Sequence, residues 1–231
     1  MKAMILAAGR GERMRPLTDT IPKPLLKVNG KPLIVYHIEK LVAIGITDIV
    51  INHAWLGDVL TSYLGDGSQF GANIRFSAES EGALETAGGI VKALPLLDDE
   101  PFLVINGDVF TDFDFGGLPS LAKDKLAHVI LINNPEHNRS GDFLYQQGRL
   151  RNKTSDLTES ISYTFSGIAL YRPAFFDEIN NQKDTVKALG PMLRTAAGSD
   201  LISASIYEGA WTDVGTPERL EQLNNLVNRE Y

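Results

Sequence analysis

The stretch Ile5–Leu25, ILAAGRGERMRPLTDTIPKPL, narrows the choice of fold more than any other part of the chain. Met4–Ala8 is a short apolar run that reads as a buried parallel strand, and it breaks directly into Gly9-Arg10-Gly11, followed by Arg13, Arg15 and Lys23. Glycine permits backbone angles closed to other residues, so main-chain N–H groups can converge on an anion, to which the cations add charge. A strand running into a glycine loop is where an α/β sheet holds phosphate. The spacing is not GxxxxGK[ST], and Met14 stands where the third glycine of GxGxxG would fall, which removes the two commonest phosphate loops. Pro22 and Pro24 stiffen the backbone on either side of Lys23 and limit where its ammonium reaches. A surface turn with scattered basic residues is the bland alternative. The ordered set GxGxRxxPLT followed by PKP argues against it.

Beyond the loop, apolar residues recur at helical spacing over Lys31–Ile44, and Asp48–Ile51 is β-branched. Helix Leu56–Leu64, strand Asn73–Phe76, helix Leu84–Leu94 and strand Phe102–Ile105 follow. Such alternation predicts a parallel sheet with helices on both faces. In the second half we expect strands at Ala127–Ile132, Phe165–Tyr171, Leu201–Ile206 and Ala210–Val214, and a hairpin over Asp142–Leu150 turning at Gly148. Helices are expected to open at Pro173 and Val186, and a last one at Thr216-Pro217 with Thr as N-cap and Pro at the first helical position. Residues 133–163 and 177–186, rich in Asn, Asp, Ser and Gln, read as mobile loops. No linker or repeat divides the chain, so one domain over residues 1–231 is expected.

With 231 residues, 43% of them hydrophobic, the chain has enough apolar surface for a substantial core. A net charge of −7 with no basic face argues against nucleic acid as a partner, but the locally basic loop leaves a phosphate substrate open. There is no cysteine, hence no disulfide and no thiolate metal site. No signal-like segment or membrane-length apolar run is visible, so no membrane partner and a cytoplasmic location are expected.

Two further segments carry chemistry. Asn106-Gly107-Asp108 follows a buried strand at the edge where ligands of such sheets collect, and Trp211-Thr212-Asp213-Val214-Gly215-Thr216 offers a second strand-end aspartate. Two carboxylates plus phosphate oxygens suit Mg2+, which keeps several waters and takes few protein ligands. Either aspartate alone would read as a turn residue or helix cap. The histidines, His37, His53, His128 and His137, show no ligand spacing and are expected in structural or surface roles, with Trp55 and Phe70 as packing residues.

The loop, the PKP segment, the Gly-Asp after the fourth strand and WTDVGT together resemble the sugar-phosphate nucleotidyltransferases. Those enzymes join a nucleoside triphosphate to a sugar 1-phosphate and release pyrophosphate. The resemblance covers essentially the whole chain. It implies a Rossmann-like three-layer α/β/α domain with a mixed, mostly parallel sheet (the nucleotide-diphospho-sugar transferase fold), residues 1–126 mainly handling the nucleotide and 127–231 mainly the sugar. It further implies that Asp108 and Asp213 hold Mg2+ and that Arg13 and the Gly9–Gly11 amides, with Ala7, Ala8 and Arg10, hold the triphosphate. Lys23 would stabilise charge at the α-phosphorus. Glu79 and the segment Leu84–Gly88 stand where the family lines its nucleobase pocket, with Thr86 matching and Glu85 in place of a family glycine. Asn106, Gly141, Asp142, Ser166 and Gly167 occupy the sugar-contacting positions. Many relatives also carry Glu-Lys-Pro before that last strand, its lysine on the sugar phosphate. Here the motif is missing and Lys153 is the nearest lysine.

At finer grain INHAWLGD, LETAGGI, NGDVFTD and GDF resemble the short bacterial N-acetylmuramate α-1-phosphate uridylyltransferases of cell-wall recycling. UTP and N-acetylmuramate 1-phosphate would then be the substrates, and Arg139, Arg151 and Lys153 the candidates to meet the lactyl carboxylate. A mannose-1-phosphate guanylyltransferase is the alternative within the family. A catalytically silent nucleotide-sugar-binding regulator is the alternative outside enzymology, though the retained Arg13, Lys23, Asp108 and Asp213 speak against it. The absence of hexapeptide repeats after the last motif argues against the bifunctional acetyltransferase relatives.

Overall fold

A computed structural model describes residues 1–79, 84–153, 161–180 and 186–227. The strands are β1 (Ala3–Leu6), β2 (Lys27–Val28), β3 (Lys31–Pro32), β4 (Asp48–His53), β5 (Asn73–Ala78), β6 (Phe102–Asn106), β7 (Val109–Thr111), β8 (Ala127–Ile132), β9 (Phe143–Gln146), β10 (Arg149–Arg151), β11 (Ser162–Tyr171), β12 (Ile202–Tyr207) and β13 (Trp211–Asp213). The helices are α1 (Leu33–Ala43), α2 (Gly57–Leu64), α3 (Glu85–Leu97), α4 (Asp177–Asn180), α5 (Leu189–Gly198) and α6 (Pro217–Val227).

Nine strands form one sheet in the order β5-β4-β1-β6-β11-β8-β12-β10-β9. The first four are mutually parallel; β11 runs antiparallel to both β6 and β8, and β10 antiparallel to β12 and β9, so only β10 and β11 oppose the rest. The sheet is thus mixed and mostly parallel, as expected. Period-two alternation sorts its side chains into two cores. Met4, Val50, Phe102, Val104, Val129, Leu131, Ala169 and Tyr171 face α3 and α5 on one side. Ile5, Ile49, Ile51, Leu103, Ile105, Ile130, Ile168 and Leu170 face α1 and α2 on the other. These two packed faces are the three-layer architecture. A smaller third core joins Met14, Leu26, Val28, Leu33, Val214 and Leu223, so that the N-terminal loop, the β2–β3 hairpin, α1, β13 and α6 meet in one place.

The β9–β10 hairpin turns at Gln147-Gly148, both at positive φ (48° and 79°), the geometry of the tight turns that match strand twist. At Thr216 the side-chain oxygen accepts from Arg219 N at 3.4 Å, giving the expected cap to α6. The helix expected at Val186 begins instead at Leu189. Residues 186–188 stay outside the helix because the Lys187 backbone is already engaged: its carbonyl accepts from Ala87 N (2.9 Å) and its N–H donates to Leu84 O (3.0 Å), strapping the start of α3. Pro173 opens a 3-10 turn, Pro173–Phe176, that runs into the one-turn α4. Of the stretches read as mobile, residues 154–160 and 181–185 lie outside the described residues; the β9–β10 hairpin within the first is regular sheet.

Candidate active site

The cleft opens where β1, β4 and β6 end, at the carboxyl edge of the parallel half, and its first part is lined by Ala7, Ala8, Gly9, Gly11, Lys23, Asn52, Glu79, Glu85, Thr86, Asn106 and Asp108. A buried chain of hydrogen bonds sets its floor. Ala7 N donates to Asn52 Oδ1 (2.8 Å), Asn52 Nδ2 donates to Glu79 Oε1 (2.6 Å), and Leu84 N donates to Glu79 Oε2 (2.9 Å). The loop after β1 and the entrance to α3 are therefore held through two polar side chains. Glu79 is only 9% exposed and has no cation partner among the described residues. Asn52 was missed in the sequence, although an Asn closing a strand otherwise apolar from Ile49 to Ile51 was a usable signal.

The loop after β1 is shaped by Gly11. Its φ is +68°, and a Cβ there would come within 3.1 Å of Thr18 Cγ2 and 3.3 Å of Lys23 Cβ, so conformation and space both demand glycine. Thr18 Oγ1 donates back to Gly11 O (2.8 Å), and Trp55 Nε1 donates to Thr18 O (2.9 Å), which ties the excursion down. Trp55 thus anchors the loop, and the Arg10 guanidinium lies 3.9 Å above its ring. Phe70 packs on the core as expected. Arg13 is exposed, sits outside the cleft lining, and makes no ion pair among the described residues. Lys23, fixed by a 3-10 turn over Lys23–Leu25, donates from Nζ to Asp108 Oδ2 at 2.5 Å.

Asp108 and Asp213 are brought together by a two-stranded ribbon that the sequence did not disclose. β13 pairs antiparallel with β7, Asp213 opposite Val109, and Val214 N donates to Asp108 O at 2.8 Å. Asp213 Oδ1 accepts from Arg219 Nη1 and pairs with His137 Nε2 at 3.0 Å. His137 lies at the surface, as expected, and there braces Asp213. Among the described residues no cluster of three or more His, Cys, Asp or Glu marks a metal site. The donor set nevertheless fits Mg2+: two hard carboxylates on adjoining strand ends, each with one oxygen that accepts from no described residue.

Thr86, Glu85 and Asn106 also line the second part of the cleft, with Asp142, Phe143, Phe165, Leu189, Gly190, Leu193 and Arg194. Asp142 is pinned by Asn138 Nδ2 (3.1 Å) on Oδ1 and Phe165 N (2.9 Å) on Oδ2. Gly141 precedes it at φ +63°, its carbonyl capped by Lys153 Nζ at 2.7 Å. Gly167 sits at φ +80° in the irregular stretch of β11, and a Cβ there would lie 2.5 Å from Asn106 Nδ2, so Asn106 rests on it. Ser166 departs from the sequence expectation. It is 1% exposed, and its hydroxyl donates to Ile130 O (2.8 Å) and accepts from Ile168 N (3.2 Å), so the side chain is turned into the core and away from the cleft. Its carbonyl takes Trp211 Nε1 at 2.9 Å, so Ser166 positions β13 instead. Of the cations considered for a lactyl carboxylate, Arg151 pairs with Asp200 at 3.4 Å and Lys153 with backbone carbonyls. Arg139 is exposed outside the lining.

Glu85 keeps the backbone shape that the family glycine would give, at φ +57°. Of the remaining histidines, His37 is buried in α1 and His128 bridges Ser203 (2.8 Å) and Ser205 (3.0 Å). His53 flanks a neighbouring hollow beside Arg10 and Trp55, where burial holds its imidazole below the ordinary value against the pull of Asp58 and Glu79.

Comparison with known proteins agrees with this geometry. Residues 2–230 match the nucleotidyl transferase family. An N-acetylmuramate alpha-1-phosphate uridylyltransferase of Neisseria meningitidis serogroup B is 51% identical over 98% of each chain. A mannose-1-phosphate guanyltransferase of Gibberella zeae is 33% identical over 94% of this chain and 62% of its own length. A crystal structure from Bacillus anthracis, described as a candidate glucose-1-phosphate thymidylyltransferase, superposes with a TM-score of 0.83 at 28% identity, covering 98% of this chain and 94% of the other. A phosphate loop, a paired lysine and aspartate, and near full-length similarity all point one way: the chain belongs to the nucleotidyl transferase family.

Proposed function

We propose that the protein joins UTP to N-acetylmuramic acid α-1-phosphate, giving UDP-N-acetylmuramic acid and pyrophosphate, as a cytoplasmic step in peptidoglycan recycling. The observation that carries the reaction is the Lys23–Asp108 pair at 2.5 Å, set in the wall of the cleft beside Gly9, Gly11 and Asn106. The substrate pair rests on the 51% identical relative. The sugar phosphate oxygen forms a bond to the α-phosphorus while the bond to the bridging oxygen of the β-phosphate breaks, and pyrophosphate carries off the electron pair. Catalysis of this kind is positioning plus charge stabilisation. The amides after β1 receive the triphosphate, with Arg10 and Arg13 at the loop's outer side. Lys23 neutralises charge on the reacting phosphate, and Glu79 with Thr86 lines the base end. Asn106, Gly141, Asp142 and Gly167 form the sugar side. Asp108 and Asp213 would hold Mg2+, which when bound supplies Lewis-acid neutralisation of phosphate oxygens.

The test is pyrophosphate release with Mg2+, pairing UTP or GTP with N-acetylmuramate 1-phosphate or mannose 1-phosphate. Preference for UTP with the muramate is expected. Preference for GTP with mannose 1-phosphate would move the protein to its guanyltransferase relatives, and silence with every pair would favour a binding regulator. Asp213→Ala should abolish turnover with an unchanged circular dichroism spectrum; near-normal turnover would remove Asp213 from the metal site.

A further inference from the structure

We propose that Arg194, on the cleft-facing side of α5, selects the acceptor sugar by receiving its carboxylate. The inference rests on the muramate reading and names the group that would make it specific. N-acetylmuramate differs from N-acetylglucosamine by a lactyl ether, which adds a methyl and a carboxylate to the sugar ring. A carboxylate entering the sugar part of the cleft meets two acids on its walls, Glu85 and Asp142, and, among the described residues, a single cation, Arg194. Without a positive partner, like-charge repulsion would exclude such a sugar.

Arg194 is equipped for the task. Its guanidinium lies 5.9 Å from the Phe143 ring centroid, and its Nη2 would stand 3.6 Å from a Cβ built on Gly190, so an aromatic face and a bare helix turn border it. No carboxylate pairs with it among the described residues. The other cations near the sugar half are already engaged elsewhere or lie off the lining. A planar guanidinium binds carboxylate through two parallel hydrogen bonds, which a neutral sugar hydroxyl does not reproduce. Leu189, Leu193 and Phe165 beside it offer apolar wall for the lactyl methyl.

The experiment compares wild type, Arg194→Met and Arg194→Lys on N-acetylmuramate 1-phosphate and on N-acetylglucosamine 1-phosphate with UTP. KM is read for each sugar, or the inhibition constant where a sugar is not turned over. Arg194→Met should raise KM for the muramate about 10- to 100-fold, the loss expected for a charge-assisted hydrogen bond. The value for the glucosamine should stay unchanged or fall, and Arg194→Lys should recover part of the loss. Equal effects on both sugars, or none, overturn the role of Arg194 while leaving the muramate reading in place. A wild type that ignores N-acetylmuramate 1-phosphate overturns that reading and the role of Arg194 with it.

Discussion

His37 and Tyr171 show what isolated polar groups do inside this molecule. Neither ring nitrogen of His37 nor the Tyr171 hydroxyl makes a well-formed hydrogen bond among the described residues, and the Val109 backbone offsets only part of the burial of His37. Burial lowers the His37 pKa from 6.5 to about 4. Below pH 6.5 the unfolded chain therefore takes up a proton that the folded chain refuses until about pH 4. Stability is full above the upper value and falls on acidification through this window, by on the order of 3 kcal/mol in total. Replacing His37 with Leu should flatten the urea midpoint between about pH 7 and about pH 4.5; a slope equal to wild type would assign the acid sensitivity elsewhere. Tyr171 sits among Phe175 and Phe176 with ring centroids at 5.0 and 5.4 Å, and burial drives its pKa upward. Tyr171→Phe keeps that packing and removes an unsatisfied hydroxyl, so unfolding free energy should rise by about 1 kcal/mol.

At the scale of elements, the entrance of α3 and the phosphate loop are the two pieces whose shape matters most. Glu85 holds a left-handed backbone angle that disfavours any side chain. Glu85→Gly should therefore raise the thermal midpoint, corresponding to about 1 kcal/mol. A lower midpoint would mean that the Glu85 side chain makes a compensating contact. The loop depends on the Trp55 hydrogen bond to Thr18 and on Arg10 stacked over the same ring. Trp55→Phe keeps an aromatic face but deletes the donor. It should raise KM for the nucleotide several-fold with little change in KM for the sugar, a split that steady-state kinetics with each substrate varied in turn would read. How much of this was legible in the sequence follows from element length. The helices and six-residue strands of the first half announce themselves by period, whereas β2, β3 and β7, of two or three residues, are too short to carry one. Ser166 was placed on the right strand yet wrongly aimed, because the irregular stretch of β11 shifts the pleat at that point. Arg194 occupies a solvent-side position of an ordinary helix, which by pattern alone says only that the residue is outside.

For the whole molecule, the first core-forming half could be read as a parallel sheet because its strands alternate with helices, although β6 passes over β5 and β4 to pair with β1. The meeting of Asp108 with Asp213 could not, because no local pattern pairs β7 with β13. His137 likewise meets Asp213 from far along the chain. The small third core has a consequence of its own. Met14 and Leu26 come from the N-terminal loop and the segment after it, Val214 follows Asp213, and Leu223 comes from the final helix. These parts rest on a handful of apolar side chains while the main sheet rests on two far larger cores. Proteins open in cooperative units of unequal stability, the least packed first. The loop side and the Asp213 side of the proposed site are thus built on the unit that should open sub-globally before the scaffold melts. Activity in rising urea should vanish ahead of the far-UV transition, amide exchange in α6 should be faster than in β6, and Leu223→Ala should widen the gap between the two midpoints. Coincident loss of activity and secondary structure would show instead that a few buried side chains suffice to fuse the catalytic edge to its scaffold.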